Sequence, residues 1–491
     1  MLTPEAIKTF IDNDKSSKRK RQAEVGQRYY DGDHDINKYK IMYLDTDENL
    51  KEDRLKSNVK ISHTFFNELS EQEVQHMLSE SDTVFCSDIT ELQDVLDEYF
   101  NSNEDFMAEL YQVMLDRIVK GMGYMYAYKN DEGMLSFQCA DSLGVVEVRA
   151  KETDDGCAYV IFWYIDSIGK DNKEITRIQV WDTKQVMYYV QEGDGAIQPD
   201  ESEKPNPSPH AIYKKDGDDG VYFEDFGYIP FFRLDNNRKQ ESDLKRVKRH
   251  IDDYDLMACG MSNNIQDMAD AYIAVKGYEG NNLDELAMNF RAKKHIGVGE
   301  GGDIEIKTVD IPYQARQAKM EIDERNIYRF GQGFNASQRR DGNVTDDEVE
   351  SRYELLNMKC NKKEIYLKKF LKKLVKAVLE EVNRENGTGY RVSDVYFDFK
   401  RRTVTDKEKD ARIELTNAQK RQTEINTIMN LREVIGDDTM MELIAEQLDM
   451  DVDKLKKGMP KPEDDPVFKA AQTVKTIIPE DTETPDGDMI A

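Results

Sequence analysis

The clearest hydrophobic pattern in the chain is a seam of apolar residues at alternating intervals of three and four positions. The seam residues are Leu244, Val247, Ile251, Tyr254, Ala258, Met261, Ile265 and Met268. This spacing puts the apolar side chains on one narrow stripe, which is typical of helices that pack side by side. We therefore predict a helix over 242–272, capped by Ser242, that belongs to a coiled coil or a bundle.

A second helix is predicted over 312–330, where the proline at its start suits a first helical turn. This segment is mostly polar, and only Ala315, Ala318 and Ile322 form a thin apolar stripe. A helix with so little apolar surface is either exposed to solvent or packed among copies of itself around a wet space. A glycine follows the last position and is expected to end the helix.

The longest helix is predicted to begin at residue 345, because Thr345 and Glu348 match a capping box. Its apolar periodicity continues to Asn386, where the following Gly387 provides a stop signal. A short strand and further helical segments come next. Prolines among acidic residues then predict a flexible tail over 460–491.

The first part of the chain, 1–234, is predicted to be an α+β domain, and the whole chain is predicted to be α+β and mainly α. Helical spacing is found over 88–119, and aromatic and β-branched runs between 123 and 190 are typical of strands. Four prolines within QPDESEKPNPSPH (198–210) interrupt this pattern. They predict an exposed, mobile insertion or linker near 192–220.

The basic run KSSKRKR (15–21) lies in the first predicted helix. We interpret it as the solvated face of that helix, with a nuclear localisation signal as the alternative. Charge runs of this kind usually face solvent.

Composition limits the classes of function. The 491 residues include 98 acidic and 69 basic ones, with a formal net charge of -29, which argues against a protein that coats DNA by neutralising phosphates. The five cysteines contain no C-x-x-C pair, which indicates reduced thiols rather than disulfides or a zinc site. No run approaches the roughly 18 apolar residues of a membrane span. The six histidines lack ligand spacing, so we predict no metal site.

The segment GVGEGG matches G-x-G-x-x-G at Gly297, Gly299 and Gly302. A dinucleotide-binding turn needs a strand before this motif and a helix after it. Residues 303–306 instead alternate in the manner of a strand, so we favour a hairpin. No P-loop occurs, and we predict no catalytic residues and no cofactor. A nucleotide-binding enzyme that uses GVGEGG is the enzymatic alternative.

Three segments resemble one known family. They are YYDGDHDI (29–36), SNVKISHTFFNEL (57–69) and GYIPFFRLDNNRKQESDLKRVKRHIDDYDLMACGMSNN (227–264). Over nearly its whole length, the chain resembles the portal proteins of long-tailed double-stranded DNA bacteriophages. It departs from the family after residue 344, where members often have Ser-Gly-x-Ala-Leu and this chain has Thr-Asp-Asp-Glu-Val.

The resemblance implies a portal fold with wing, stem, clip and crown that assembles as a ring around a central DNA channel. The implied parts are the wing (1–241), two stem helices (242–272 and 312–330), the clip (273–311), a tunnel loop (331–344), a long wing helix with a strand (345–403), the crown (404–459) and a flexible acidic tail (460–491).

The resemblance further implies a ring, usually of twelve subunits, at one vertex of the virion capsid, assembled in the host cytoplasm. DNA enters such a ring during packaging and leaves through it during ejection, and the ring joins head to tail. The implied partners are double-stranded DNA, the terminase large subunit, scaffolding and major capsid proteins, and a head–tail adaptor, with no membrane. The alternative of the same class is another phage ring or head–tail connector protein.

The tunnel loop has glycines that are expected to free its backbone, and it contains two adjacent arginines. The residues expected to contact DNA are Asn335, Ser337, Gln338, Arg339, Arg340 and Asn343. Because an acidic ring repels DNA, a few basic groups on a loop can touch the phosphate backbone briefly. Alternatively, Arg339 and Arg340 pair with acidic residues of a neighbouring subunit. The seam of the first stem helix is expected to pack between subunits.

Overall fold

The computed structural model describes residues 2–44, 47–54, 56–79, 84–130, 133–151, 156–168, 173–214, 220–267, 272–276, 301, 303–307, 313–335 and 346–401, with short helical pieces between 415 and 444. Its contacts divide the chain into two units, Met1–Arg402 and Thr403–Ala491. Most of the predicted crown, 404–459, and all of the predicted tail, 460–491, lie outside the described residues.

The first unit combines helices and strands, which confirms the predicted α+β class. The α-helices described in it are α1 (Pro4–Lys15), α2 (Lys18–Tyr30), α3 (Phe65–Met77), α4 (Thr90–Leu96), α5 (Glu104–Lys120), α6 (Leu244–Asp267), α7 (Tyr313–Gly331) and α8 (Asp346–Asn386). The strands are β1 (Met42–Leu44), β2 (Leu50–Glu52), β3 (Phe85–Cys86), β4 (Met122–Lys129), β5 (Leu135–Ala140), β6 (Val145–Val148), β7 (Tyr159–Ile168), β8 (Glu174–Trp181), β9 (Gln185–Glu192), β10 (Gln198–Pro199), β11 (Ser208–Pro209), β12 (Ala211–Lys214), β13 (Val221–Glu224), β14 (Phe231–Asp235), β15 (Tyr272–Lys276), β16 (Asp303–Lys307) and β17 (Tyr396–Phe397).

Two antiparallel sheets organise the region before α6. The larger has the order β10–β9–β8–β7–β6, with β11 also paired to β9, and the smaller has the order β14–β4–β5. Helix α1 covers the larger sheet through Ile7 and Ile11, which share a hydrophobic cluster with strand residues. A second cluster, which includes Tyr124 and Trp181, joins the two sheets. The strands predicted between 123 and 190 are therefore confirmed.

The proline-rich stretch is attached to the larger sheet. Strands β10 and β11 both pair with β9. The Asn206 side chain donates to the Tyr188 carbonyl oxygen at 2.8 Å, and the buried Asp200 carboxylate accepts from Arg177. Prolines are tolerated there because an edge needs fewer N–H donors. Most side chains are exposed as predicted, but the interpretation as a linker is wrong; residues 215–219 lie outside the described part.

The basic run over 15–21 is divided between two helices, and one of its lysines is buried. Ser17 caps α2 by accepting from the Lys20 backbone N–H at 3.1 Å. The Lys20 side chain is 2% exposed, and its ammonium donates to the carbonyl oxygens of Leu143 at 3.1 Å and Val145 at 2.9 Å. The interpretation of the whole run as solvated is therefore wrong at Lys20, which supports the turn before β6.

Helix α8 supplies one wall of the largest hydrophobic core. Its buried Leu367, Phe370 and Leu374 belong to the same cluster as residues of α3, α4 and α5. The bounds Asp346–Asn386 confirm the predicted long helix. Its proposed cap, Thr345, lies outside the described residues.

A buried network of charged side chains joins α3, α5 and α8 to the start of α6. Glu73 accepts from Arg117 at 2.8 Å and pairs with Lys359 at 2.9 Å. The carboxylate of Asp243 lies 3.2 Å from Lys359 and 3.1 Å from Lys363. Burial would raise the pKa of Glu73, but Lys359 and Arg117 outweigh burial and hold that pKa below its usual value. Each ion thus has an opposite charge beside it, without which a buried ion is very unfavourable.

Replacing Lys359 by methionine is expected to lower the free energy of unfolding by about 3–5 kcal/mol, because Glu73 and Asp243 would stay buried with less compensation. Urea unfolding measures this change. Lys184→Met, at an exposed position between β8 and β9, is the control and should change stability by no more than about 0.5 kcal/mol. Equal stabilities for the two variants would contradict the importance of the network.

Because the network contains a buried carboxylate, the stability of the fold should depend on pH. Because the pKa of folded Glu73 lies below its ordinary value of 4.5, the charge stabilises the fold fully above that pH, and the contribution is lost as the pH falls further. Glu73→Gln removes the titration and keeps the size. The stability difference between parent and variant should be largest near neutral pH and should shrink below about pH 4.5. A difference that stays constant in acid would argue against a charged Glu73.

Candidate functional site

Helices α6 and α7 lie side by side and run in opposite directions. Arg246, near the start of α6, donates to the Gln332 side-chain oxygen just after α7 at 2.9 Å. Asp253, farther along α6, pairs with Lys319, which is earlier on α7. The antiparallel ladder β15–β16 lies between the two helices in the chain. Helix α6 is described over Leu244–Asp267, and Tyr272 already belongs to β15, so the helix is shorter than the predicted 242–272.

The first half of the seam is buried inside the single chain. Leu244, Val247 and Ile251 belong to one hydrophobic cluster with residues that include Phe66 of α3 and Ile327 of α7. These partners are distant in sequence, so the seam alone did not reveal them. The burial of this half needs no second subunit.

The second half of the seam becomes progressively exposed. Ala258 is buried, Tyr254 and Met261 are partly buried, and Ile265 is 60% exposed. Met268 lies outside the described residues. Apolar surface therefore remains toward the end of α6, where packing between subunits stays a prediction.

The thin apolar stripe of α7 faces away from the chain's own core. Ala315 and Ala318 are exposed, and Ile322 is 48% exposed. The buried apolar residues of α7 are instead Ile327 and Tyr328. This arrangement agrees with the prediction of a helix that is exposed or packs among copies of itself.

A buried carboxylate fixes α6 to the segment between α2 and α3. Asp255 Oδ2 lies 2.6 Å from His34 Nδ1, and Asp255 Oδ1 lies 2.8 Å from His63 Nδ1. Burial would raise the pKa of Asp255, but the hydrogen bonds with His34 and His63 outweigh burial and lower that pKa. On its other side, His34 Nε2 lies 3.2 Å from the Tyr29 carbonyl oxygen. The imidazole is thus held at both nitrogens.

The sequence analysis missed this cluster, although a signal was present. Each of the three segments that carry the family resemblance contributes one member: His34 from 29–36, His63 from 57–69 and Asp255 from 227–264. The three segments therefore meet at one buried carboxylate. Their common role is to position α6.

The start of the predicted tunnel loop is packed tightly against α3. A Cβ atom added to Gly331 would lie 2.6 Å from the Leu69 side chain, and one added to Gly333 would also overlap it. Gln72 donates its amide to the Phe334 carbonyl oxygen at 2.8 Å and accepts from the Phe334 N–H at 3.2 Å. The glycines thus permit close approach, and the expectation that they free the backbone at this end is wrong.

The start of the loop also touches the helix that follows it. The Phe334 ring lies 4.5 Å, centroid to centroid, from the ring of Tyr353 in α8. The Asn335 side chain bonds to Glu324 of α7. The start of the loop is therefore held by contacts with both α7 and α8. The other residues expected to contact DNA lie outside the described residues: Ser337, Gln338, Arg339, Arg340 and Asn343.

The glycine motif before β16 is followed by a strand. Strand β16 begins at Asp303 and pairs with β15, so the helix that a dinucleotide-binding turn requires is not formed there. Gly297, Gly299 and Gly302 themselves lie outside the described residues. Where the structure is described, no group of three or more His, Cys, Asp or Glu residues could hold a metal ion. Within the same residues, no helix is long and apolar enough to cross a membrane.

Comparisons with known proteins agree with the resemblance. The family model described as "Phage portal protein, SPP1 Gp6-like" matches residues 10–454. A portal protein of Bacillus phage SPP1 is 26% identical over 338 residues, which are 68% of this chain and 65% of that protein. A portal protein of Clostridium phage phiCD119 is 28% identical over 159 residues, which are 31% of this chain and 35% of that protein.

The aligned regions thus span less than two-thirds of either relative. The family model, however, covers α3, α6, β15, β16, α7 and α8 together, and α3, α7 and α8 contact the start of the loop. Its match extends over most of the chain. The chain therefore belongs to the SPP1 Gp6-like family of phage portal proteins.

Proposed function

We propose that this chain is the subunit of a portal ring, usually of twelve copies, at one vertex of a phage capsid. Double-stranded DNA passes through the ring during packaging and ejection. The observation that carries the proposal is the family match over residues 10–454. In this assignment α6 and α7 are the stem, β15 and β16 belong to the clip, and the elements before α6 belong to the wing.

The need for neighbouring copies follows from surfaces that one chain leaves uncovered. Ile265 on α6 is 60% exposed, and Tyr313 and Ile322 on α7 are 58% and 48% exposed. Burial of apolar area provides about 25 cal/mol per Å², so a ring that covers these side chains is favoured over separate chains. This supports packing between subunits along the second half of the seam.

Passage of DNA requires weak contact with its backbone. With a net charge of -29, each chain repels phosphates, which limits the tight binding that would stop sliding. Arg339 and Arg340 are two basic residues in the predicted tunnel loop, whose start is held by a hydrogen bond from Gln72. We assign to them a brief contact with phosphates inside the tunnel.

The proposed subunit has a structural role and no catalytic residues. Energy for packaging is supplied by the terminase large subunit, which docks on the clip. The remaining proposed partners are the scaffolding and major capsid proteins and a head–tail adaptor, first in the host cytoplasm and then in the virion. The strand after GVGEGG disfavours the alternative of a nucleotide-binding enzyme.

Ring formation is expected to fail when the exposed end of the seam becomes charged. Ile265→Asp should leave the fold of the single chain intact, because the position is 60% exposed, but it should place a charge between subunits. Native mass spectrometry and negative-stain electron microscopy measure the fraction of chains in rings. Ile165→Asp, at a 52% exposed position of β7, is the control and should form rings like the parent. Rings of Ile265→Asp in normal yield would exclude this seam contact.

The double change Arg339→Ala/Arg340→Ala should leave ring formation intact and change stability by no more than about 0.5 kcal/mol, the usual range for a loop that the sequence predicts to lie outside the core. It should reduce the DNA that capsids containing the variant ring protect from nuclease. Arg238→Ala/Lys239→Ala removes two adjacent exposed bases from the turn before α6 and serves as the control. Unchanged packaging would contradict the DNA contact, and failure to form rings would show that the arginines tie subunits together.

A further inference from the structure

Helix α8 concentrates positive charge in an otherwise acidic chain. Between residues 359 and 376 it has eight lysines: Lys359, Lys362, Lys363, Lys368, Lys369, Lys372, Lys373 and Lys376. The only acidic residue in this stretch is Glu364. Without these nine residues, the chain has 97 acidic and 61 basic residues. The lysines therefore form the main basic surface feature that the portal assignment does not explain.

The lysines have two different environments. Lys359 and Lys363 point inward and compensate Glu73 and Asp243. The others are wholly or partly exposed, and a subset shares one side of the helix. Lys362, Lys369 and Lys376 are spaced seven residues apart, so they lie on one side of the helix, which turns by about 100° per residue. Lys372 lies on the same side. All four of these side chains are exposed.

Apolar side chains continue this side of the helix toward its start. Leu355 is 40% exposed, Met358 is 49% exposed and Ile365 is 70% exposed. We name the seven residues the lysine face: Leu355, Met358, Lys362, Ile365, Lys369, Lys372 and Lys376. Exposed apolar residues beside polar or charged ones mark surfaces that contact other proteins. A surface specialised for DNA phosphates has no need of the apolar part.

A cavity of about 350 Å³ opens beside the lysine face. Its charged lining consists of Arg149, Arg233, Lys369 and Lys373 against one carboxylate, Asp235. Arg233 already pairs with Asp235 at 2.8 Å and with Glu147, and Glu147 also pairs with Arg149 at 2.7 Å, so the uncompensated charge comes from the lysines. Neither Lys369 nor Lys373 has an ion-pair partner within the described residues. Partial burial of its ammonium lowers the pKa of Lys373, and Arg233 and Lys369 lower it further. A carboxylate placed in the cavity would relieve this repulsion.

We propose that the lysine face and this cavity bind an acidic segment of a second copy of the chain, in the neighbouring subunit of the ring. The inference rests on the proposed ring. Copies that carry such an excess of acidic residues repel one another unless some acids meet bases. The lysine face supplies those bases, and its apolar residues supply area to bury. The result is a contact that holds adjacent wings together along α8.

Zero-length carbodiimide cross-linking tests this contact in the unmodified chain. Rings assembled from an equal mixture of ¹⁴N and ¹⁵N chains are cross-linked, digested and analysed by mass spectrometry. Links of mixed isotope composition should join Lys362, Lys369, Lys372 or Lys376 to Asp or Glu residues. If all links to these lysines joined residues with the same isotope, the contacts would lie within one chain. That result would overturn the proposal, and it includes links to acids beyond residue 402 of the same chain.

Charge reversal tests the same contact by assembly. The variant Lys362→Glu/Lys369→Glu/Lys372→Glu/Lys376→Glu is expected to reduce the fraction of chains in rings by at least roughly tenfold, because acids then face acids. The control Lys8→Glu/Lys18→Glu/Lys184→Glu/Lys239→Glu makes the same change in net charge at other exposed positions. It should form rings within about twofold of the parent. Circular dichroism verifies that both fold, and the four Lys→Gln changes replace the reversals if folding is lost.

The outcomes separate this inference from the proposed function. If the parent forms no rings, the portal function fails and the contact fails with it. If the parent and the reversed variant form rings equally, or if the control loses rings as strongly, the lysine face is excluded and the portal function is untouched. Fluorescence anisotropy with a short duplex provides a third readout. If the reversed variant forms rings normally but no longer binds the duplex, the lysine face binds DNA, and the proposal of a subunit contact is overturned.

Discussion

Compensation of buried charge is the constraint on which the rest of this structure depends. Glu73 and Asp243 are buried carboxylates, and the three cations beside them come from α5 and α8. None of these ions can be buried alone, because the cost of removing a single charge from water amounts to several kcal/mol. The helices must therefore dock together, and the network specifies which turn of α8 faces which turn of α3.

The same network also holds the start of α6 and the start of the predicted tunnel loop. The ammonium of Lys359 also donates to the carbonyl oxygen of Gly331 at 3.1 Å, so it holds the last turn of α7. Asn236 donates to Asp243 Oδ1 at 2.8 Å and so fixes the turn that enters α6. The start of the predicted tunnel loop is thus held by the Lys359 ammonium as well as by the packing of Gly331 and Gly333 against Leu69.

In the described residues, buried charges have partners of opposite sign, whereas several apolar and cationic side chains stay exposed. The polar interior of the chain pairs charges over long sequence distances, and the first half of the α6 seam is covered by residues of α3 and α7 of the same chain. The end of that seam, the stripe of α7 and the lysine face of α8 keep apolar or cationic groups toward solvent. For an acidic chain, these surfaces are the places where association is favourable, because they offer apolar area or positive charge. In the proposed ring, assembly therefore depends on the few regions where the chain departs from its average composition.

The sequence by itself determined the local elements, since their signals are local. Periodicity and a stop signal located α8, β-branched and aromatic runs located β4 to β9, and three short segments indicated the family. Tertiary structure alone decided the partners. Lys363 meets Asp243 across 120 residues, Lys20 is buried rather than solvated, and Gly331 serves close packing against Leu69. Apolar periodicity predicts which side chains share one face of a helix. Whether that face is buried depends on which distant segments pack against it in the folded chain. For charged residues in so acidic a chain, composition predicts exposure, and only a compensating partner from a distant segment makes burial possible.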